Sequence, residues 1–363
     1  TVDRFRTGTL SIRQLEVEGT LGEEGKVLDL TASAVLDGRR DGRLALRVED
    51  VPDSSTIQLR ELEFRADEDL WQLRQPARIS FQEGVRLDSL VLEARDQALR
   101  LRGRVGSAGP LSLEMEARNF RIGTVSDLVG FPSLQGQVSG TMSLGGTGEE
   151  PTADLRVQAS LETSPAPPSE LRASARYADR SLTFDARADV EGERGLRADG
   201  VLPIHFSLAD SSRGLQDSGS LEAQVSADSL PLEWIGLFLP EEQIRNLRGV
   251  AGGSVRLTGS PSDPGLEGTL ELSALEAGIT ALGARFGPGA ARLRFQGDRL
   301  HLDSLRLRSG DGTLTGRGTV AFTSLSDPEF DLDMTARSFR AVATSGVHAV
   351  VSGDLHLGGT ALG

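Results

Sequence analysis

The sequence predicts an all-β chain: an elongated, mostly antiparallel repetitive β-groove, taco-like or solenoid-like, with one or two short helices. Three observations predict it. Apolar and polar residues alternate with period two along most of the 363 residues, the pattern of strands with one dry and one wet face. A longer pattern returns at intervals of roughly 100 to 110 residues, as repeat architectures require. Aromatic residues make up only 4% while glycine numbers 43, so aliphatic side chains and tight turns must build the interior.

Alternation is clearest at residues 111–117, 153–159, 293–295 and 330–334, where the polar partners are mostly charged, of both signs. Such a face belongs in water. A finer device is a pair of apolar residues two apart, then a second such pair three residues later. It occurs at Leu10, Ile12, Leu15 and Val17; at Ile57, Leu59, Leu62 and Phe64; at Val85, Leu87, Leu90 and Leu92; and at Leu300, Leu302, Leu305 and Leu307. Leu270, Leu272, Leu275 and Ala277 form a weaker fifth. On a helix these positions scatter, and on an unbroken strand the second pair falls on the opposite face. One extra residue at a bulge returns both pairs to one face and bends the strand. These segments are therefore expected to be elbows of a curved sheet.

Few stretches resist the strand reading. Residues 230–239 and 240–247 are expected to form two short helices, because Pro231 and Pro240 suit first-turn positions and Glu241 and Glu242 favour a helix N-terminus. Residues 122–130 are their counterpart earlier in the chain. Residues 162–169, rich in proline and serine, read as a loop. Gly310-Asp311-Gly312 reads as a hairpin turn, since no helix follows to make it a ligand loop.

The long repeat rests on three matched segments. Gly140-Thr141-Met142-Ser143-Leu144-Gly145-Gly146 is followed by Pro151, Gly253-Ser254-Val255-Arg256-Leu257-Thr258-Gly259 by Pro264 at the same offset, and Gly353-Asp354-Leu355-His356-Leu357-Gly358-Gly359 repeats the opening. Two further matches lie twice as far apart. Leu87-Asp88-Ser89-Leu90 with Asp96, Leu99, Gly103 and Val105 corresponds, at an offset of 215, to Leu302-Asp303-Ser304-Leu305 with Asp311, Leu314, Gly318 and Val320. Met115 with Ala117-Arg118-Asn119-Phe120-Arg121 corresponds, at an offset of 219, to Met334 with Ala336-Arg337-Ser338-Phe339-Arg340. The expected organisation is one continuous groove over residues 1–363, with approximate repeats at 1–117, 118–228 and 229–337 and a partial one at 338–363. It is expected to be a piece of a longer chain.

The inward face needs a cover. Some fifty residues at about 33 Å² each give a face on the order of 1,600 Å², where a monomer tolerates a few hundred. Two ordinary sandwiches would cover it. The scarcity of aromatic residues, the long repeat and the elbows instead favour strands stacked about a lengthwise apolar channel, for which acyl chains are the natural guest. Alternation places Leu87, Leu90, Leu92, Leu99, Val105, Leu113, Met115, Leu155 and Val157 on that lining. It also places there Leu266, Leu270, Leu272, Leu293, Phe295, Leu300, Leu302, Leu305, Leu307, Leu314, Val320, Leu332 and Met334.

Charge and composition remove other classes. Lys+Arg 39 against Asp+Glu 53 leaves a net charge of −14, which repels phosphate backbones, and no basic stripe offsets it, so no nucleic-acid partner is expected. With no cysteine and a single lysine, Lys26, thiolate and Schiff-base chemistry have no residues to use. His205, His301, His348 and His356 lack metal-pair spacing and read as surface residues. Trp71 and Trp234 read as core residues rather than lipid-interface anchors. No Gly-x-Ser-x-Gly elbow is present. No catalytic residue, metal or cofactor is expected, and the chain reads as no enzyme. No run of 18 apolar residues occurs, so an anchoring span is expected outside it.

Leu247-Arg248-Gly249 leading into residues 253–259, Pro264-Gly265-Leu266-Glu267-Gly268-Thr269-Leu270-Glu271-Leu272, residues 298–305 and residues 310–318 resemble the TamB branch of the AsmA-like superfamily. The likeness is strongest over residues 230–363. It implies a long apolar-lined β-groove crossing the periplasm of a Gram-negative-type bacterium, an inner-membrane anchor outside this chain, and an outer-membrane assembly-factor barrel as partner. It implies movement of glycerophospholipids, held by their acyl chains, between inner and outer membranes. The alternative is a periplasmic scaffold that assists outer-membrane protein assembly by strand addition. A third class, an adhesin-like stack of sandwiches, predicts pieces of about 100 residues that fold independently.

Overall fold

The computed structural model describes residues 2–7, 10–21, 27–35, 41–51, 54–66, 68–81, 84–106, 109–123, 134–208, 213–215, 219–237, 239, 244–322, 328–344 and 346–360. The chain forms two compact units. Unit 1 comprises Thr1–Ser160, Ala173–Leu182 and Ile204–Gly214; unit 2 comprises Leu161–Arg172, Thr183–Pro203 and Leu215–Gly363. The fold class is all-β, as the alternation predicts.

The first strands are β1 (Val2–Thr7), β2 (Leu10–Leu21), β3 (Val27–Val35), β4 (Asp41–Val51), β5 (Ser54–Ala66), β6 (Asp69–Leu73), β7 (Ala77–Ser80), β8 (Val85–Ala94), β9 (Gln97–Val105), β10 (Ser112–Arg121), β11 (Gly136–Gly146) and β12 (Pro151–Leu161). They are followed by β13 (Ser169–Ala178), β14 (Ser181–Val190), β15 (Glu193–Phe206), β16 (Arg213–Leu215), β17 (Leu221–Pro231), β18 (Ile244–Ser260), β19 (Asp263–Ile279), β20 (Ala284–Gly297), β21 (Arg299–Ser309), β22 (Gly312–Ala321), β23 (Glu329–Ala343) and β24 (His348–Thr360). In unit 1, β1 to β5 pair in order, β6 and β7 join β5 to β8, and β8 to β11 pair in order. In unit 2, β15 pairs with β17, and β17 to β24 pair in order. Each of these pairings is antiparallel. A succession of hairpins keeps one face of the ladder apolar along its length, whereas a Greek-key sandwich sends strands away and back.

Four of the five elbow motifs carry the expected bulge. The register shifts between Leu87 and Leu90, between Leu302 and Leu305, between Leu272 and Leu275, and opposite Leu59 and Leu62 at Ala45/Leu46. The fifth departs from expectation: β2 pairs one-to-one with β1 through Leu10, Ile12 and Leu15, so no bulge restores its face. A second bulge type lies where alternation gave no signal. Register shifts at Ala117/Phe120, Ala227/Leu230 and Ala336/Phe339 each contain a residue at positive φ: Asn119 at 49°, Ser229 at 56° and Ser338 at 48°. The three alanines face Gly140, Gly253 and Gly353. Two of the bulges are held by a hydroxyl on the next strand, the N–H of Asn119 donating to Ser139 Oγ at 2.9 Å and that of Ser338 to Ser352 Oγ at 2.8 Å.

The helical expectation is corrected in part. One short helix, α1 (Leu232–Gly236), follows Pro231, which sits at its N-cap in extended conformation. Residues 244–247, expected to continue a second helix, are the start of β18, because Ile244 and Arg245 find ladder partners in Ile279 and Gly278. The remaining helix positions at 240–243 and most of 122–130 lie outside the described residues. The loop at 162–168 and the two-residue turn between Ser309 and Gly312 are as expected.

Burial concentrates in three clusters. One joins Trp71, Leu92 and Ala94 with Leu62, Phe64, Leu73, Leu90, Leu99 and Phe120. The second joins Val190, Leu230, Leu232 and Ala251 with Leu196, Ala227, Trp234, Leu247, Leu272 and Leu275. In the third, Ala284, Phe286, Ala336 and Phe339 pack with Leu307, Leu314 and their neighbours. Both tryptophans thus sit in cores.

Candidate functional site

The candidate site is the apolar face of the ladder, and the pairing register builds it. Residues directly opposite in an antiparallel pair share a face. In unit 1, Ile57, Ile79, Leu87, Gly103, Leu113 and Leu144 form one row. Leu90, Leu101, Met115 and Met142 form the next, and Leu92, Leu99, Ala117 and Gly140 the third. The Val157 side chain lies against Gly140. Val85 and Val105 pair at the far rim and are 45% and 41% exposed. Leu155 stands 37% exposed.

Unit 2 repeats the arrangement over more strands. Gly253, Leu270, Leu293, Leu302, Gly318, Leu332 and Leu357 make one row. Beside it run Val255, Gly268, Phe295, Leu300, Val320 and Phe330, and on its other side Leu272, Ala291, Leu305, Gly316, Met334 and Leu355. Leu266 pairs with Leu257, and Leu307 with Leu314. No charged side chain interrupts these rows. Each row includes glycine, at Gly253 and Gly318, at Gly268 and at Gly316, where neighbouring strands can approach closely. At Gly318, φ is +156° and a Cβ would run into the Asp331 carbonyl; Gly103 at the matching position has φ +144° and faces Ser112 in the same way.

Most of these positions are neither buried nor fully exposed. Leu270, Leu293, Leu302, Leu305 and Leu332 are half-buried although they sit in the interior of the ladder. Leu357 is 52% exposed. The predicted lining residues Leu90, Leu92, Leu99, Leu272, Leu307 and Leu314 instead pack into the three clusters. The same rows hold Leu101, Met142, Leu144, Val255, Phe330, Leu355 and Leu357, which alternation had not marked. Val138, Gly140, Met142 and Leu144 do alternate, with glycine standing where a fourth apolar side chain would have made the signal plain.

The opposite face is charged and cross-linked. Arg294 Nη2 donates to Asp303 Oδ1 at 2.8 Å and Arg292 meets Glu271 at 2.8 Å. Arg102 Nε donates to Glu114 at 2.9 Å and Arg74 Nη1 to Glu93 at 2.6 Å. Hydrogen bonds from Arg294, then its charge and those of His301 and Arg292, hold the Asp303 carboxyl below its ordinary value. Arg47 does the same for Asp29. His356 Nδ1 lies 3.0 Å from Asp333 in the open. Exposed pairs of this kind add little stability, but they fix which face stays wet. An open depression of about 900 Å³ on unit 2 is lined largely from this face, by Asp303, Arg306, Arg317, Asp333, Asp354 and His356 among others, which does not suit an alkyl chain. Among the described residues, no group of three or more His, Asp or Glu side chains could hold a metal ion, and no helix is long and apolar enough to cross a membrane.

Comparison with known proteins agrees with the resemblance. Residues 303–363, which cover the end of β21 through β24, match the family model of the TamB C-terminal domain. No curated protein and no solved structure matches the chain. The chain is thus similar, over residues 303–363, to the C-terminal domain of TamB proteins.

Proposed function

We propose that this chain is a segment of a non-enzymatic lipid conduit, binding acyl chains of glycerophospholipids on its apolar face for passage between inner and outer membranes. The observation that carries the reading is the row Leu270, Leu293, Leu302 and Leu332, interior to the ladder and still partly exposed. Such a row buried under a second sheet would be dry. Left in water, each exposed methylene costs about 0.8 kcal/mol of lost transfer free energy, and an alkyl tail laid across several strands recovers that for tail and protein together. Transfer then needs no bond chemistry. Headgroups stay in water at a rim, and the resemblance to TamB proteins adds to the proposal a periplasmic location, an inner-membrane anchor and an outer-membrane barrel partner.

The second reading is a periplasmic scaffold that captures outer-membrane proteins by strand addition. It is favoured by β24, whose Val350 and Leu357 are 63% and 52% exposed. Lipid extraction and native mass spectrometry of the purified chain separate the two readings. Bound phospholipid at or near one equivalent supports the conduit. Capture of unfolded porin segments by a lipid-free chain supports the scaffold.

A further inference from the structure

The three buried clusters share one feature: each covers the tip of a hairpin. In two of them the strands on either side of the tip meet beyond it, and in the third the end of β17 and α1 lie over it. The β8–β9 tip lies between β6 and β10, where Trp71 stands 5.5 Å from Phe120 and 6.1 Å from Phe64, ring centre to ring centre, over Leu92 and Leu99. The β21–β22 tip lies between β20 and β23, where Phe286 and Phe339 stack at 5.4 Å and 9° against Leu307 and Leu314. At the β14–β15 tip, Leu230, Leu232 and Trp234 cover Val190 and Leu196.

Polar ties hold each closure. Asp69, 2% exposed, accepts from Arg121 Nη1 at 2.6 and 2.8 Å and from Gln97 Nε2 at 2.7 Å, while Gln97 Oε1 accepts the Arg121 backbone N–H. Ser309 Oγ lies 2.7 Å from the Arg340 carbonyl and 3.1 Å from that of Arg285, bridging β23 and β20. The Glu191 N–H donates to the Pro168 carbonyl at 3.0 Å. On the other rim one comparable closure spans the β13–β14 tip, where the Leu208 N–H donates to the Gly148 carbonyl at 2.8 Å and Tyr177 stands 6.0 Å from Phe206, but Val85 and Val105, at the ends of β8 and β9, are 45% and 41% exposed.

We propose that in each unit these lids end the lipid-binding strip on the hairpin-tip side, so that acyl chains occupy only the rows between the bulges and the opposite rim and, in unit 1, enter and leave over the stretch of that rim at Val85 and Val105. The proposal rests on the conduit reading and deepens it. Leu92, Leu99, Leu307 and Leu314 then seat the lids and take no part in binding. The occupant is alkyl rather than peptide, because the backbone groups of this face are spent within the ladder. A peptide lying flat on it would leave its own N–H and C=O groups unpaired.

The absence of native cysteine makes a direct test available. Single variants Leu302→Cys, Leu332→Cys, Leu314→Cys and Leu99→Cys of the full chain, freed of lipid, are treated with a polar maleimide. Labelling at Leu314→Cys and Leu99→Cys should be several-fold slower than at the other two, since both side chains pack against a closed cluster. In parallel the unsubstituted chain is irradiated with vesicles of phosphatidylcholine bearing an acyl-chain diazirine, and adducts are mapped by peptide mass spectrometry, which needs no variant to fold. Adducts around Leu302 and Leu332 but not Leu314 or Leu99 support the proposal. Equal labelling at all four sulfurs, or adducts at Leu314, overturn the lids while leaving the conduit standing. No adducts anywhere overturn both, even with lids that exclude the maleimide.

Discussion

Phe339 and Leu302 come from similar alternating strands, yet they should respond very differently to truncation. Phe339 is 5% exposed in a stacked pair, so Phe339→Ala should destabilise unit 2 by about 3–5 kcal/mol. Leu302 is half-buried, and Leu302→Ala should cost well under half of that in urea denaturation. Equal losses would mean that Leu302 is core. Charge gives a second residue-level prediction. The Asp303 carboxyl titrates below its ordinary value of 3.8 because Arg294 bonds it, so its contribution to stability is full above that value and fades as pH falls through the lower folded value. In an NMR titration, Arg294→Gln should move the Asp303 midpoint up, toward 3.8. An unmoved midpoint would show that the pair is not populated in solution. The apolar rows could be read from the sequence because alternation marks them locally. The lids could not, because Trp71 meets Phe120 and Phe286 meets Phe339 only after intervening hairpins are folded.

Among the elements, the bulges separate what local pattern reveals from what it hides. The motif of Leu300, Leu302, Leu305 and Leu307 announces its extra residue, because only a bulge reconciles the spacing with one face. The bulges at Asn119, Ser229 and Ser338 have no such spacing. Their signal is a residue type: an alanine, one residue, an Asn or Ser able to take positive φ, then an apolar residue, at 117–120, 227–230 and 336–339. Removing the Ser352 hydroxyl unties the Ser338 N–H, so Ser352→Ala should cost about 1 kcal/mol and speed hydrogen exchange at Ser338. Unchanged exchange there would show that the hydroxyl does not hold the bulge. The helix reading over residues 244–247 failed because proline and glutamate upstream suit a helix start, while Ile244 had a partner in Ile279 that no local rule could supply. Tertiary pairing outweighs propensity at a strand end.

For the molecule as a whole, class was legible because it is written in repetition, and the match to the TamB C-terminal domain over residues 303–363 falls where the resemblance is strongest. Function was less legible, because an apolar face is the same signal whether a sheet, a protein or a lipid covers it. The central claim is that the rows through Leu302 and Leu332 are left for alkyl chains. Its most direct test is native mass spectrometry of the full chain after mild purification, with the extracted adduct identified. The account predicts phospholipid bound to the native chain and lost when Leu302 and Leu332 are both replaced by Asp, with the strand signal in circular dichroism retained. A folded native chain that carries no lipid, and takes none up from phospholipid vesicles, would contradict it.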